Sequence, residues 1–356
     1  MSKIRVAIAG VGNCASALIQ GVFYYANAKD DEEIPGVMHA NFGGYRIRDI
    51  EFVAAFDVNK LKIGKDLSEA IFAEPNCCYK FAEVPELGVK VLPAPALDGV
   101  APHMKEPFKL HNLKPVDVAE VLKETEADML VNFVPVGSYK AARYYAEACL
   151  KAGCAFINCI PEFIVSDEIW AKKFEEKGIP IAGDDIKSQI GATIVHRALV
   201  NLMVDRGVKI EETYQLNLGG NTDFLNMTVE ERLKSKRVSK TTAVTSLIPY
   251  KVPTRIGPSA YVPFLEDTKI CYIYIKGKKF GGTPVTITLK LRVEDSPNSA
   301  GVVVDVIRAV KLALDREVAG PLISISAYAF KHPPVKVPDA IAKRWVEEFI
   351  HGERER

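Results

Sequence analysis

Short apolar, β-branched runs alternate with amphipathic stretches along the first half of the chain. The runs are IRVAIAG, EFVAAFD, VKVLPA, DMLVNFVPV, CAFINCI and IPIAG, with VDVAEVLKET and SDEIWAKKFEEKG among the stretches between them. Continuous apolar runs bounded by helical periodicity predict strands buried on both faces and joined by crossover helices, hence a parallel sheet. In the second half the period changes. GDDIKSQIGATIVHRALVNLMVDRG reads as a capped amphipathic helix that begins near Lys187 and Ser188. It is followed by YQLNLGG, KICYIYIKG and PVTITLKLRV, whose alternation and turn residues predict an open, largely antiparallel sheet. A last helix, AGVVVDVIRAVKLALDRE, precedes a proline-punctuated tail. The expected fold is α/β, a Rossmann-like doubly wound parallel sheet with a second α+β domain. Residues 1–186, completed by 299–356, form the first unit and 187–298 the second.

The first strand runs straight into GVGNCASALIQGVFYY, which sets Gly10, Gly12 and Ala15 in G-x-G-x-x-A register at a strand-to-helix turn. Gly10 permits the tight turn, Gly12 lets the backbone approach a pyrophosphate, and Ala15 allows close helix packing. The first unit is therefore expected to bind a dinucleotide. Asp57 of AAFDVN ends the second strand much later than the usual 20 residues or so, because AKDDEEIPGVMHANFGGYRIRD is inserted before it. A carboxylate there bonds a ribose hydroxyl and repels a 2′-phosphate, which favours NAD over NADP.

Composition narrows the class. The 356 residues are 48% hydrophobic with a formal net charge of +1, enough chain for two domains and no general attraction for nucleic acid. The opening MSKIRVAIAG lacks a signal h-region with its cleavage site, and it falls short of the roughly 20 apolar residues of a membrane span, so a cytoplasmic protein is expected. Seven cysteines without a CxxC pair read as free thiols, and six isolated histidines offer no metal site.

Candidate chemistry gathers at segment ends. In GDDIKSQIGAT, Asp184 and Asp185 end a strand and Lys187 and Ser188 open the next helix, where free N–H groups suit a phosphoryl group; the alternative is an ordinary acidic N-cap. NLGGNTDFLN clusters Asn221, Asp223 and Asn226 behind two glycines, a ligand contact or a polar turn. RLKSKRVSKTT packs Arg232, Lys234, Lys236, Arg237 and Lys240 into nine residues, either a solvated helix face or an anion site.

GVGNCAS, FDVN, GDDIKS, LGGNTDFLN, SKRVSK, VEDSPNSAG and AYAFKHPP occur in the order in which they occur in the short, prokaryotic-type myo-inositol-1-phosphate synthases (inositol-3-phosphate synthases), and the resemblance covers essentially the whole chain. It implies conversion of D-glucose 6-phosphate to 1L-myo-inositol 1-phosphate by NAD-dependent oxidation at C5, enolisation, intramolecular aldol closure of C6 onto C1, and re-reduction. It also implies that the second unit is catalytic and mediates assembly into a homotetramer; a part for a divalent cation stays open.

Carried over residue by residue, the resemblance assigns Lys236, Lys240, Lys276, Lys331 and Asp185 to catalysis. Gly10, Gly12, Asn13, Cys14, Ala15, Asp57, Asp66, Tyr145, Asp185, Ser188, Asp223 and Asp295 go to the cofactor. Ser188, Asn221, Asp223, Lys236 and Lys240 go to the substrate. Charge development on the enolate and alkoxides calls for several fixed cations. Lys236 and Lys240, four apart, share one helix face; the other cations of the run then face solvent. Two rival functions share these features: an NAD-dependent dehydrogenase of a phosphorylated sugar or aspartate-pathway intermediate, and a non-catalytic module sensing NAD or a sugar phosphate.

Overall fold

The computed structural model describes residues 3–29 and 32–356; Met1, Ser2, Asp30 and Asp31, from the opening and the insertion, lie outside the described residues. The first half contains β1 (Ile4–Ala9), α1 (Asn13–Tyr24), the short β2 (Asn41–Phe42) and β3 (Tyr45–Arg46), β4 (Ile50–Asp57), α2 (Leu67–Ala70) and β5 (Val91–Pro93). It continues with α3 (Val118–Glu124), β6 (Met129–Asn132), α4 (Tyr139–Ala152), β7 (Ala155–Asn158), α5 (Glu168–Glu176) and β8 (Pro180–Gly183). The second half holds α6 (Ala192–Asp205), β9 (Lys209–Gly219), α7 (Thr222–Asn226), α8 (Lys234–Thr245), β10 (Thr254–Tyr261), β11 (Thr268–Lys278) and β12 (Pro284–Glu294). The chain closes with α9 (Asp295–Asp315), β13 (Gly320–Pro321), α10 (Ile323–Ala329) and α11 (Asp339–His351).

Seven strands form one parallel sheet in the order β13-β8-β7-β6-β1-β4-β5. The order reverses at β1, so the crevice beyond the carboxyl ends of β1 and β6 is the ligand position of a doubly wound sheet. The central strands β1, β6, β7 and β8 are buried on both faces, as their apolar runs require. The long helix α9 packs against α1 and carries Val303, Val306, Ile307 and Val310 into the same core. Each such fully buried side chain contributes about 1.5–3 kcal/mol relative to exposure.

The inserted stretch is tied to this helix rather than left as a surface loop. Arg308 is fully buried, donates to His39 O at 2.8 Å, and pairs with Asp305 at 2.5 Å. Asp305 in turn accepts from Met38 N at 2.9 Å.

The second sheet has the order β10-β9-β11-β12. β9 and β12 run antiparallel to β11 on its two sides, while β10, which the apolar alternation did not announce, joins β9 in parallel. One face packs on α6 and α8 through Val200, Met203, Val244, Ile273 and Ile275. The expected division at 298/299 falls inside α9, so this helix starts at the second sheet and ends in the first core. Among the described residues, no helix is long and apolar enough to cross a membrane.

Candidate active site

The strand-to-helix turn after β1 opens one end of a pocket. Gly10 has φ +89, and a Cβ on it would lie 2.9 Å from the carbonyl carbon of Phe133, so only glycine fits this close approach of two chains. Gly12 is the N-cap of α1, has no side-chain cap, and has open space where a Cβ would project. The free N–H groups of the first turn of α1 therefore meet a cavity suited to an anion. Asp57 supports this turn: its carboxylate accepts from Val11 N at 2.7 Å, Val58 N at 2.7 Å and Asn59 N at 2.8 Å. Lys62, 1% exposed, donates to Val11 O at 2.5 Å and Asn76 Oδ1 at 2.7 Å. Burial lowers its pKa, opposed by Asp57.

Beyond β8 the chain does not enter a helix at once. Asp184 is fully buried and accepts from Asn158 Nδ2 at 2.7 Å, from Ser166 Oγ at 2.8 Å, and from the N–H groups of Ile164, Val165 and Ser166 at 3.1 Å each. Asp184, Asp185 and Lys187 pair their backbones with residues 329–332, with an antiparallel bridge between Ile186 and Phe330. The N–H groups of Asp184 and Lys187 are spent on this zip and those of Asp185 and Ile186 on the carbonyls of Ile160 and Cys159, and α6 starts only at Ala192. The expectation of a helix opening at Lys187 and Ser188 is thus corrected. The zip also sets Lys331 beside Asp185: Lys331 Nζ donates to Asp185 Oδ1 at 2.8 Å, and Ser239 Oγ of α8 donates to Asp185 Oδ2.

Helix α8 presents Lys236 and Lys240 on one buried face, whereas Lys234 and Arg237 are exposed. Lys236 pairs with Asp223 at 2.5 Å. Burial would raise the Asp223 carboxyl, but Lys236, Lys240 and Lys269 overcome it and hold the pKa below its ordinary value. Lys240 makes no salt bridge among the described residues; burial and the neighbouring ammoniums of Lys236, Lys269 and Lys331 push its pKa well below that of an exposed lysine. Lys269 of β11 pairs with Asp295 at 2.9 Å. Burial lowers its pKa, but Asp295 and then Asp223 outweigh that and keep it raised. Asn221 caps α7 and donates to Asp267 Oδ1 at 3.1 Å. Burial, reinforced by Asp295, raises Asp267 to about 7.

Gly10, Gly12 and Asp57 at one end and Lys236, Lys240, Lys269 and Lys331 at the other line one continuous pocket. Residues 191–296 match the family model described as myo-inositol-1-phosphate synthase. The chain is 52% identical over 354 residues to the inositol-3-phosphate synthase of Mycobacterium tuberculosis, covering 99% of this chain and 96% of that one. To the inositol-3-phosphate synthase of Corynebacterium glutamicum it is 53% identical over 357 residues, covering 98% of each. The chain belongs to the myo-inositol-1-phosphate synthase family. The crystal structure of Ari2 shares its fold, with a TM-score of 0.79 at 35% identity over 98% of this chain and 100% of that one.

Within this family member the pocket gathers the expected Gly10, Gly12, Asn13, Cys14, Asp57, Tyr145, Asp185, Ser188, Asn221, Asp223, Lys236, Lys240, Asp295 and Lys331. Burial, reinforced by Asp295 and Asp267, raises the Cys14 thiol to about 12, so it stays protonated. Ala15 does not line the pocket; it is fully buried beneath the turn, where a larger side chain would hold α1 away from the sheet.

Asp66 also lies outside the pocket, because its carboxylate caps α2, accepting from Ser68 N at 2.9 Å and Leu87 N at 3.0 Å. Lys276 is not brought into the pocket either. It stands on the outer side of β11, 4.0 Å from Glu212, and Lys269 occupies the pocket instead. Arg232, expected in solvent, donates to Asp98 O at 2.9 Å, Val136 O at 3.0 Å and Ser138 Oγ at 3.1 Å, fastening the start of α8 to the loops beside the nucleotide end. Gln215, Asn217 and Lys62 line the pocket and carry no motif that marks them in the sequence. Among the described residues no cluster of three or more His, Cys, Asp or Glu could hold a metal ion.

The three bonds of Asp57 separate two effects of its removal. Asp57→Asn is expected to weaken NAD binding by about 1.5–3 kcal/mol, the range of a charge-assisted hydrogen bond. Asp57→Ala is expected to lower the melting temperature more than Asp57→Asn does, because all three backbone donors lose their acceptor, whereas the single asparagine oxygen still takes Val58 N and Asn59 N. Calorimetric titration and thermal melts check the pair, and unchanged NAD affinity in folded Asp57→Asn would remove the carboxylate from the cofactor site.

Proposed function

We propose that this pocket carries out the family reaction, with glucose 6-phosphate among the lysines and NAD along the turn at Gly10 and Gly12. The enzyme is an isomerase: it converts D-glucose 6-phosphate to 1L-myo-inositol 1-phosphate, with no net redox change. The observation that carries the assignment of residues is the convergence of four lysines from three separate segments on a cavity continuous with the glycine turn.

The residues at the nucleotide end fit NAD. The open space at Gly12 and the first turn of α1 suit its pyrophosphate, and Asp57, with Tyr145 beside it in the lining, suits an adenosine ribose without a 2′-phosphate. When bound, NAD supplies a hydride acceptor for C5 and the same hydride for the final reduction. The chain supplies the rest. Lys236, Lys269 and Lys331, each paired with a carboxylate, offset the substrate phosphate and the oxyanions that form at C5, on the enolate and at C1. Lys240, unpaired and easily deprotonated, exchanges the proton of a reacting hydroxyl. Asp185 holds Lys331 and, through Ser239, the facing turn of α8 at a fixed separation.

Recycling gives the test. Substoichiometric NAD⁺ is expected to support many turnovers of glucose 6-phosphate to inositol phosphate, with no rise in absorbance from NADH. Stoichiometric release of NADH would instead make the protein a dehydrogenase, and absence of any turnover with tight NAD binding would make it a sensor.

A further inference from the structure

A chain of buried polar side chains leads away from the pocket through the second sheet. Asn217, Gln215 and Thr213 are successive inward residues of β9, and His196 of α6 lies behind them, fully buried. Thr213 Oγ1 is 2.7 Å from Tyr274 O and 2.7 Å from His196 Nε2. His196 Nδ1 is 3.4 Å from the Gln215 amide, which is 3.0 Å from the Asn217 amide. The last corner of Asn217, occupied by Nδ2, is buried and has no partner within the described residues, and Asn217 lines the pocket.

The donors along this chain can be counted. A backbone carbonyl only accepts, so the single hydroxyl proton of Thr213 goes to Tyr274 O. His196 must then donate from Nε2. Burial lowers the His196 pKa to about 4, so the ring is neutral and Nδ1 is a bare acceptor. Gln215 must accordingly give its NH2 to His196 and its oxygen to Asn217. Both amides are therefore turned over relative to the arrangement in which Gln215 Nε2 donates to Asn217 Oδ1. Turning them exchanges oxygen and nitrogen without moving either side chain. Asn217 then donates to Gln215, and the corner left without a protein partner is its carbonyl oxygen.

We infer that His196 is a positioning residue which, through Gln215, fixes Asn217 with its carbonyl oxygen toward the substrate, as an acceptor for a sugar hydroxyl. This rests on the pocket being the glucose 6-phosphate site. Thr213, Gln215, Asn217 and His196 are all buried and bonded to one another, so the polarity of the chain is a built-in property of the protein and not a response to ligand. A substrate analogue that replaces the hydroxyl meeting Asn217 by hydrogen leaves that oxygen buried and unpaired, the form of discrimination polar pockets achieve best.

Two measurements test the inference. ¹⁵N-histidine labelling of the intact protein, with the His196 signals identified by their loss in His196→Gln, reads the tautomer directly. A neutral ring with its proton on Nε2 is expected from about pH 5.5 to 8, well above the lowered His196 pKa. A proton on Nδ1 overturns the inference whatever the catalytic activity, which keeps its failure separate from failure of the functional assignment.

Kinetics give the second readout. His196→Phe fills the space but offers Gln215 no acceptor, and is expected to raise KM for glucose 6-phosphate about tenfold with NAD affinity unchanged. His196→Gln, able to accept from Gln215 and to donate to Thr213, is expected to restore KM to within about threefold of wild type. Equal KM in all three proteins, or equal impairment of the two variants, overturns the positioning role; if His196→Phe does not fold, the tautomer and the His196→Gln kinetics decide.

Discussion

Lys240→Met lowers turnover by roughly 100- to 1000-fold, whereas Lys276→Met leaves it within about twofold, with both proteins folded. The contrast comes from position on their elements. Lys240 is buried on the inner face of α8, among three other ammoniums and without a carboxylate of its own, so its charge is costly and its proton is loosely held. Lys276 is on the solvent side of β11, where its contact with Glu212 at 4.0 Å is worth little. Methionine keeps an unbranched apolar stem like that of lysine and removes a desolvated charge, so the Lys240 variant is expected to melt no lower than wild type. Lys240→Arg separates the two uses of the side chain, because a guanidinium keeps its charge and does not give up a proton near neutrality. Inositol phosphate formation that stays as low in Lys240→Arg as in Lys240→Met places proton exchange at Lys240; recovery in the arginine variant leaves it as a fixed charge only.

The choice between Lys269 and Lys276 was available in the strand pattern. Cys271, Ile273 and Ile275 point to the second core, and a strand alternates with period two, so Lys269 shares their side and Lys276 does not. The family resemblance drew attention to the conspicuous YIYIKG and away from that parity. β9 shows the opposite difficulty. Its buried residues Thr213, Gln215 and Asn217 are polar while Tyr214 and Leu216 face outward, so alternation locates the strand but the usual apolar-inward rule does not give its inner face. A strand that lines a site inverts the usual partition because its inward side chains meet a ligand or one another rather than a greasy core.

Elsewhere local signals sufficed where one physical cause dominated. Two-sided burial wrote the strands of the parallel sheet as continuous apolar runs, and close approach to Phe133 wrote Gly10. The i, i+4 spacing separated Lys236 and Lys240 from Lys234 and Arg237. Arg232 escaped that logic. Its partners are carbonyls of residues 98, 99 and 136, about a hundred positions away in sequence, and no local spacing encodes a contact of that range. The zip between residues 184–187 and 329–332 is invisible for the same reason, although both halves are conspicuous separately as GDDIKS and AYAFKHPP.

That zip leads to the other large effect, at Asp185. Asp185→Ala is expected to destabilise the fold by about 3–5 kcal/mol, because Lys331 is left as a largely buried cation, 14% exposed, without its counter-charge and Ser239 loses its acceptor. Asp185 has φ +64 in the left-handed region, which alanine tolerates less well than aspartate, and this adds to the loss. Asp185→Asn should behave differently. Its amide oxygen can still accept from Lys331 and its nitrogen can donate to Ser239 Oγ, so the loss is smaller than in Asp185→Ala, but Lys331 is left without its counter-charge and turnover falls steeply. The double variant Asp185→Ala with Lys331→Met decides whether charge is the cause. It removes both members of the pair and is expected to recover most of the stability lost in Asp185→Ala while remaining inactive. If urea titrations show the two single changes adding in the double variant, with no recovery, the contribution of Asp185 is packing of the 184–187 zip and not the ion pair.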